Sequence, residues 1–319
     1  MKIFVAGGTG VIGRPSVKEL VAAGHEVRST ARGPEKAALV RAMGAEPVDL
    51  DLYDEAAVRS AIAGCDAVIR LTTKIASLMK LGRLKTWDET NRLRTAGARI
   101  LVNAAIAERV SVYLGESITF VYRDGGSAWL DENAPVDDAK SPILCAALEG
   151  EREAQRFSQA GGRGIVLRFA GFYGPQAPST IEMAALLRKR LVFQFGASSN
   201  YFSSAYLPDA GRAVAAAVNA PAGIYNVCDD EPVAFAEYLR AAASAFGAPP
   251  PRRLPGFLGK FMFGAVWSYF SRSHKISNAR LKSVTNWRPS VRSAIEGWPR
   301  VAAELSALPE PGAAVAKAS

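Results

Sequence analysis

The sequence predicts an α/β protein built on a doubly wound parallel sheet, with a smaller, mostly helical C-terminal lobe. Three observations carry this prediction. Short apolar runs alternate with longer amphipathic segments through the first half of the chain. A glycine-rich turn, Gly7-Gly8-Thr9-Gly10-Val11-Ile12-Gly13, joins the first apolar run to the first helical segment. The 319 residues are 49% hydrophobic and 22% charged, which suffices for a large core without disulfide or metal staples.

Residues 2–6 are apolar and end in glycines, so they read as a buried strand. Residues 11–23 have helical spacing and stop at Gly24. Residues 26–31 read as extended, 34–43 as helix and 46–50 as extended again. Asp54 is a plausible N-cap for a helix over 55–63. A strand over 66–71, a long helix over 87–108 and a strand over 110–114 follow. Buried strands between helices form βαβ units, and the fixed hand of their crossovers covers both faces of the sheet.

Beyond residue 143 the pattern loosens. A helix over 143–160 closes at Gly161-Gly162, and a strand over 164–169 follows. Residues 223–227 form a later strand that can return to the same sheet. The expected division is a Rossmann-type nucleotide-binding domain over 1–170, completed by 223–227, and a substrate lobe over 171–307. Residues 308–319 are Pro, Ala and Gly-rich without periodicity, and a flexible tail is expected there.

The formal net charge is +9. Lys and Arg are spread along the chain, with only short clusters at Arg188-Lys189-Arg190 and Arg252-Arg253. That distribution favours solvated faces and a phosphate-bearing cofactor over nucleic acid. Cys65, Cys145 and Cys228 have no zinc-ligand spacing and leave one thiol over, and the histidines are His25 and His274. Neither a disulfide framework nor a metal site is expected. The first residues run into glycines without a signal-peptide core, and no stretch reaches the length of a membrane span. The expectation is a cytoplasmic protein with a small-molecule substrate, no stable membrane insertion and the option of a homodimer.

The glycines of the turn have a chemical purpose. They allow a tight bend, the approach of a pyrophosphate to the backbone, and close packing of helix on strand. The helix start adds free N–H donors and the positive end of a dipole. Gly7, Thr9, Gly10, Val11, Ile12 and Gly13 are therefore candidate cofactor contacts. An NAD site expects a carboxylate at the end of the second strand to hold the ribose hydroxyls. Here Ala31 stands in that place and Arg32 follows. A guanidinium pairs with a 2′-phosphate that a carboxylate would repel, so NADP(H) is the expected cofactor.

These residues resemble the extended short-chain dehydrogenase/reductase superfamily, in its NAD-dependent epimerase/dehydratase branch. The resemblance covers nearly the whole chain. Gly7, Gly10 and Gly13 match the family's glycine motif. Asp51-Leu52 matches its adenine-flanking pair, and Leu71-Thr72-Thr73 the cofactor-lining end of the fourth strand. Asn91 matches its helix asparagine. Arg168-Phe169 with Phe172-Tyr173-Gly174-Pro175 resembles the segment after its sixth strand, which adds Phe169 and Ala170 to the implied cofactor contacts. Residues 223–231 and Arg280-Leu281…Asn286-Trp287-Arg288-Pro289 resemble its later strand and C-terminal turn.

The family's catalysis uses Tyr-x-x-x-Lys on a helix and a hydroxyl after the fifth strand. In register, this chain has Ile143 at the Tyr position, Ala147 at the Lys position and Ile118 at the hydroxyl position. None of these can move a proton, so the chain resembles members that keep the cofactor fold and lose the triad. Glu116, Ser117, Thr119 and Tyr122 lie at the carboxyl end of the fifth strand, where ligands bind in this architecture. Glu116, Ser117 and Tyr122 are taken as the candidate catalytic groups. Tyr173 and Tyr206 are candidates for the substrate side of the crevice. The aromatic segment 256–270 is too short to span a bilayer, and its cover is expected to be the substrate crevice first, a second subunit next and a membrane surface last, with Phe261, Met262 and Trp267 lining an apolar substrate cavity.

The implied function is an NADP(H)-dependent oxidoreductase acting on a small, fairly apolar carbonyl or alkene compound. Two other readings stay open. One is a non-enzymatic NADP(H)-binding redox sensor or regulatory protein. The other is a sugar-nucleotide epimerase or dehydratase, which must exchange a proton where the tyrosine is absent.

Overall fold

The computed structural model describes residues 1–74, 77–137, 141–195, 197–267 and 271–307. Seven parallel strands form its central sheet: β1 (Lys2–Ala6), β2 (Glu26–Thr30), β3 (Glu46–Val48), β4 (Ala67–Arg70), β5 (Val112–Ile118), β6 (Arg163–Phe169) and β7 (Gly223–Val227). Their order is β7-β6-β5-β4-β1-β2-β3, and every neighbouring pair is parallel. The order reverses between β1 and β4. In such a sheet the crevice for ligands opens at the carboxyl edge of that junction.

The strands are apolar in succession because both faces are covered. In β1, Ile3 and Val5 join one buried cluster, and Phe4 and Ala6 join the other. The first face is covered by α1 (Gly13–Ala22) and α2 (Pro34–Ala42). The second is covered by α3 (Glu55–Ile62), by a helical stretch comprising α4 (Asp88–Arg92) and α5 (Ala98–Ala107), and by α6 (Pro142–Gln159). Asp54 caps α3, its Oδ1 accepting from the Ala57 N–H at 3.0 Å. The long helix expected over 87–108 is interrupted by a π turn at Leu93–Gly97. Such bulges mark places where a helix must present a residue off its regular register, and Arg94 sits in this one, fully buried.

The C-terminal part contributes α7 (Pro178–Arg188), α8 (Leu207–Ala217), α9 (Phe235–Ala245), α10 (Gly256–Phe263), α11 (Ala279–Val284) and α12 (Ala294–Ala307). Within it, α8 packs with the first face of the sheet through Val214 and Ala217. The lobe has its own core, in which Tyr173, Tyr206, Tyr238 and Trp298 meet. Ring centroids of Tyr173 lie 5.3 Å from Trp298 and 5.8 Å from Tyr206. The tail expectation over 308–319 falls outside the described residues, as do positions 268–270 of the aromatic segment.

Beneath the lobe's aromatic rings lies a buried carboxylate, Asp229. It accepts from the Tyr173 hydroxyl at 2.8 Å, the Ser204 hydroxyl at 2.9 Å and the Tyr206 N–H at 3.1 Å. Burial nonetheless pushes its pKa up to about 7. A raised carboxyl pKa gives stability that is complete below the unfolded value and is lost as pH rises through the folded one. Buried His274 has the opposite effect, because desolvation lowers its pKa to about 4 and unfolding then takes up a proton below the ordinary histidine value. The two slopes oppose each other in mild acid, so a comparison with a variant is needed to separate them. Asp229→Asn is expected to lose melting temperature relative to wild type as pH falls from about 7 to about 4, since only the wild type gains a proton on folding there. Thermal melts across that window check this, and a constant difference between the two proteins would refute it.

Candidate active site

The crevice at the β1/β4 junction is a cleft of about 380 Å³. Its floor is the turn after β1, with Gly7, Thr9 and Gly10. Gly13 permits this arrangement, because a Cβ there would lie 2.0 Å from the Gly7 carbonyl oxygen. The α1 start can therefore press against the turn. The turn is also tied to β2, where the Thr30 hydroxyl accepts from the Gly7 N–H at 2.9 Å.

One end of the cleft is cationic. Arg32 and Lys36 both line it and both are exposed. Lys36 stands in the first turn of α2, one turn of chain beyond Arg32, and sequence reading passed over it. Its signal was a second cation behind a strand end lacking a carboxylate. Asp51, Leu52 and Tyr53 line the cleft after β3. The Tyr53 ring is held under the Arg92 guanidinium, 3.7 Å from ring centroid to Cζ.

Leu71, Thr72, Thr73 and Lys74 form the wall after β4. Thr90 pins this segment by accepting from the Lys74 N–H at 3.1 Å and donating to the Lys74 carbonyl at 2.6 Å. The buried Thr72 hydroxyl and the buried Asn91 Oδ1 have no protein partner among the described residues. A glycine floor, a cationic end and the orphaned Thr72 hydroxyl on the wall suit a dinucleotide with phosphates and ribose hydroxyls.

Of the expected cofactor contacts, Gly7, Thr9, Gly10, Arg32, Asp51, Leu52, Leu71, Thr72 and Thr73 line the cleft. Gly13 acts from behind the turn. Val11 and Ile12 do not line it, and Ile12 belongs to the buried cluster. Phe169 and Ala170 are also outside its lining, at the end of β6, with β5 between them and β4.

The three candidate catalytic groups are not in the cleft lining. Glu116 points into the protein, with Oε1 2.8 Å from Arg94 Nη2 and Oε2 3.5 Å from Arg70 Nη1. All three side chains are at least 96% buried. Ser117 donates to Glu151 Oε1 at 2.6 Å, and Glu151 also takes a forked contact from Arg168 at 2.6 and 2.8 Å. Thr119 is buried as well. The Tyr122 hydroxyl donates to Asn226 Oδ1 at 2.8 Å, and burial pushes its pKa up to about 12. The phenol is thus spent on a buried amide and the carboxylate on two buried guanidiniums, away from the cleft lining.

This ionic seam explains helix α6. A Cβ on Gly150 would meet the Arg94 carbonyl oxygen at 3.0 Å and Arg70 Nη2 at 3.3 Å, so glycine lets α6 close over the two arginines. Ile143 and Ala147 on the same helix are buried in an apolar cluster with Leu81, Val121, Leu144 and Val266. The sequence signal for the seam was Arg70, a charge in the apolar run Val68-Ile69-Arg70-Leu71.

The candidate substrate residues divide. Tyr173 and Tyr206 are buried in the lobe core, donating to Asp229 and to Glu304 Oε1 at 2.8 and 2.6 Å, and burial drives both phenol pKa values up. Met262 and Trp267 do line an apolar cavity of about 180 Å³. Its other walls include Leu78, Leu81, Met183, Phe195 and Phe263. Leu78, Leu81 and Phe263 also touch the cluster around Ile143, which places the cavity next to α6. Phe261 is 89% exposed and faces away.

Comparison with known proteins agrees with this geometry. Residues 7–155 match the family model described as NAD(P)H-binding. A Streptomyces 3-diazoavenalumate denitrifying reductase is 33% identical over 311 residues, spanning 93% of this chain and 99% of that one. The 2-alkyl-3-oxoalkanoate reductase of Stenotrophomonas maltophilia is 26% identical over 83% of this chain and 82% of its own. Among solved structures, human epimerase family protein SDR39U1 with NADPH has a TM-score of 0.75 at 20% identity, covering 96% of this chain and all of that one. Thermus thermophilus UDP-glucose 4-epimerase with NAD also has a TM-score of 0.75, at 23% identity over 97% of this chain and 100% of that one. Fold and cleft thus define an NAD(P)-binding protein of the Rossmann class. The chain belongs to the family of the Streptomyces reductase, carries the NAD(P)H-binding domain over residues 7–155, and shares its fold with the solved epimerases.

Glu116→Gln tests the seam. It leaves Arg70 and Arg94 buried with one counter-charge fewer, and a loss of about 3–5 kcal/mol in unfolding free energy is expected. Urea titration measures it, and the folded variant should keep its nucleotide affinity. Unchanged stability with abolished turnover would return Glu116 to the catalytic groups.

Proposed function

We propose that the protein is an NADP(H)-dependent oxidoreductase that reduces a small, fairly apolar carbonyl or alkene compound without a Tyr-Lys pair. The observation that carries this reading is the cleft end with Arg32 and Lys36 where an NAD site would hold a carboxylate. Those two cations would hold a 2′-phosphate, the N–H groups at the α1 start the pyrophosphate, and Thr72, Thr73 and Asn91 the ribose beyond. When bound, the nicotinamide supplies the hydride chemistry.

The chain's own part is position and exclusion of water. Ile143, Leu144, Ala147 and Val121 make a dry wall, and Met262 and Trp267 offer an apolar seat beside it. No candidate proton donor among these residues stands ready for an alkoxide. The reading therefore favours acceptors that draw their proton from solvent or need none from the protein. The Streptomyces relative, by its name, reduces a diazo compound with loss of nitrogen. A diazonium group takes hydride on its terminal nitrogen to give a neutral diazene, whose hydrogen passes from nitrogen to carbon as the C–N bond breaks and N2 leaves, so the net reaction asks no proton of this wall. The apolar seat speaks against a sugar nucleotide. A non-enzymatic NADP(H) sensor is the second reading, favoured by the same apolar wall.

Fluorescence titration should show NADPH binding about ten- to hundredfold more tightly than NADH, as one charged hydrogen bond of about 1.5–3 kcal/mol implies. Arg32→Ala and Lys36→Ala should each erode that ratio. Stopped-flow oxidation of bound NADPH against ketones, enones and an aryl diazonium salt then separates enzyme from sensor. Equal cofactor affinities would refute the NADP(H) assignment, and tight NADPH binding with no oxidation by any acceptor would favour the sensor.

A further inference from the structure

The cavity beside α6 opens onto a surface that a protein in free solution has little reason to keep. Met79, Leu191 and Met262 line the cavity and are also 69%, 52% and 53% exposed, so they form its mouth. Helix α10 continues the apolar surface outward. Its inner side is covered, with Phe263 stacked on Trp267 and Phe195 set edge-on to both. Its outer side carries Phe257 and Phe261, one helical turn apart, 71% and 89% exposed. Scattered apolar residues on a surface are ordinary, but a contiguous patch with two bare phenylalanines marks a contact site.

The rim identifies the contact. Residues of α7 and α9 line the cavity as well, but the three segments that carry its exposed mouth and the bare phenylalanines, residues 78–85, 188–191 and 252–267, contain no Asp or Glu. They do contain exposed Lys80, Arg83, Lys189, Arg190, Arg252 and Lys260. The carboxylate bonded to this region, Glu182, is turned inward to accept from the Leu78 N–H at 2.8 Å. The strand Arg252–Leu254 lies parallel to Phe193–Phe195, which holds the second and third segments together. The tight approach of Gly82 to the Met262 and Phe263 carbonyls holds the first against α10.

We propose that this face docks on an anionic phospholipid surface, with Phe257 and Phe261 entering the headgroup region and the cationic rim meeting lipid phosphates. No helix among the described residues is long and apolar enough to cross a membrane, so the mode is a short apolar helix lying in the interface. A second copy of the chain is the poorer occupant. A two-fold contact would set the same cations against each other. Docking would place the cavity mouth at the lipid boundary, where apolar substrates concentrate. The inference does not depend on the reductase reading, because lipid binding is measured without substrate or turnover.

The test is flotation of the full chain with phosphatidylcholine vesicles, with and without phosphatidylglycerol. Binding is expected only with the anionic lipid and should weaken as salt rises. Phe261→Asp, and separately the pair Lys189→Glu and Arg190→Glu, should each weaken it by about tenfold or more. All these side chains are exposed, so melting temperature and NADPH affinity should not change. Three results would overturn the proposal. One is absence of binding to anionic vesicles. Another is binding that survives both sets of substitutions. The third is a concentration-dependent dimer, dissolved by Phe261→Asp, in a protein that ignores vesicles.

Discussion

The fold depends on two carboxylates buried at the carboxyl edge of the sheet. Glu116 on β5 holds Arg70 and Arg94, and Glu151 on α6 holds Arg168 and the Ser117 hydroxyl. These groups join β4, β5 and β6 to α6 and to the π turn before α5. Buried guanidiniums are tolerated only when each is paired, so any change to one member leaves a charge stranded in an apolar interior. The seam contains three arginines and two glutamates. It occupies the region behind the crevice and reduces the freedom of β5 and α6 to carry acid–base groups. Also on α6, Ile143 and Ala147 are packed with Val121 and Leu144.

Much of the architecture was legible in the sequence, for a physical reason. Strands buried on both faces must be apolar throughout, and helices between them must alternate, so the βαβ rhythm is written into composition. The glycine turn was legible because sterics leave few alternatives at Gly13. The return of residues 223–227 to the sheet edge could also be read, from a short apolar strand in the right place. The interruption at Leu93–Gly97 could not. It serves Arg94, whose partner Glu116 is 22 residues away, and helical spacing carries no trace of that pairing.

The site was legible where the backbone makes it and obscure where side chains do. Gly7, Gly10 and Leu71–Thr73 follow from the position of strand ends, which the fold dictates. Glu116, Ser117 and Tyr122 also follow β5, but alternation along a strand and the packing of α6 decide whether they look outward. Each found a buried partner: Arg94, Glu151 and Asn226. Tyr173 and Tyr206 likewise serve Asp229 and Glu304. In a chain this rich in buried hydrogen bonds, a polar residue near a strand end has two possible employers, and only three-dimensional neighbours distinguish them.

The net charge of +9 looks diffuse along the sequence, yet in space its cations fall into groups with different physics. Arg70, Arg94 and Arg168 are buried against two carboxylates, Glu116 and Glu151, so the seam carries one net positive charge in place of three. Arg32 and Lys36 are exposed at one end of a cleft whose low-dielectric walls focus their field on whatever enters. Lys80, Arg83, Lys189, Arg190, Arg252 and Lys260 surround bare phenylalanines and a cavity mouth, with no acidic residue in the segments that carry them. Random surface charge would mix both signs over each face. Segregation of this kind costs self-repulsion, and a folded chain recovers that cost only where an anion comes to meet it. At the cleft the fold supplies the anion's outline. At the aromatic face apolar side chains and cations stand together without carboxylates in the same segments, the combination that the proposed lipid contact would use.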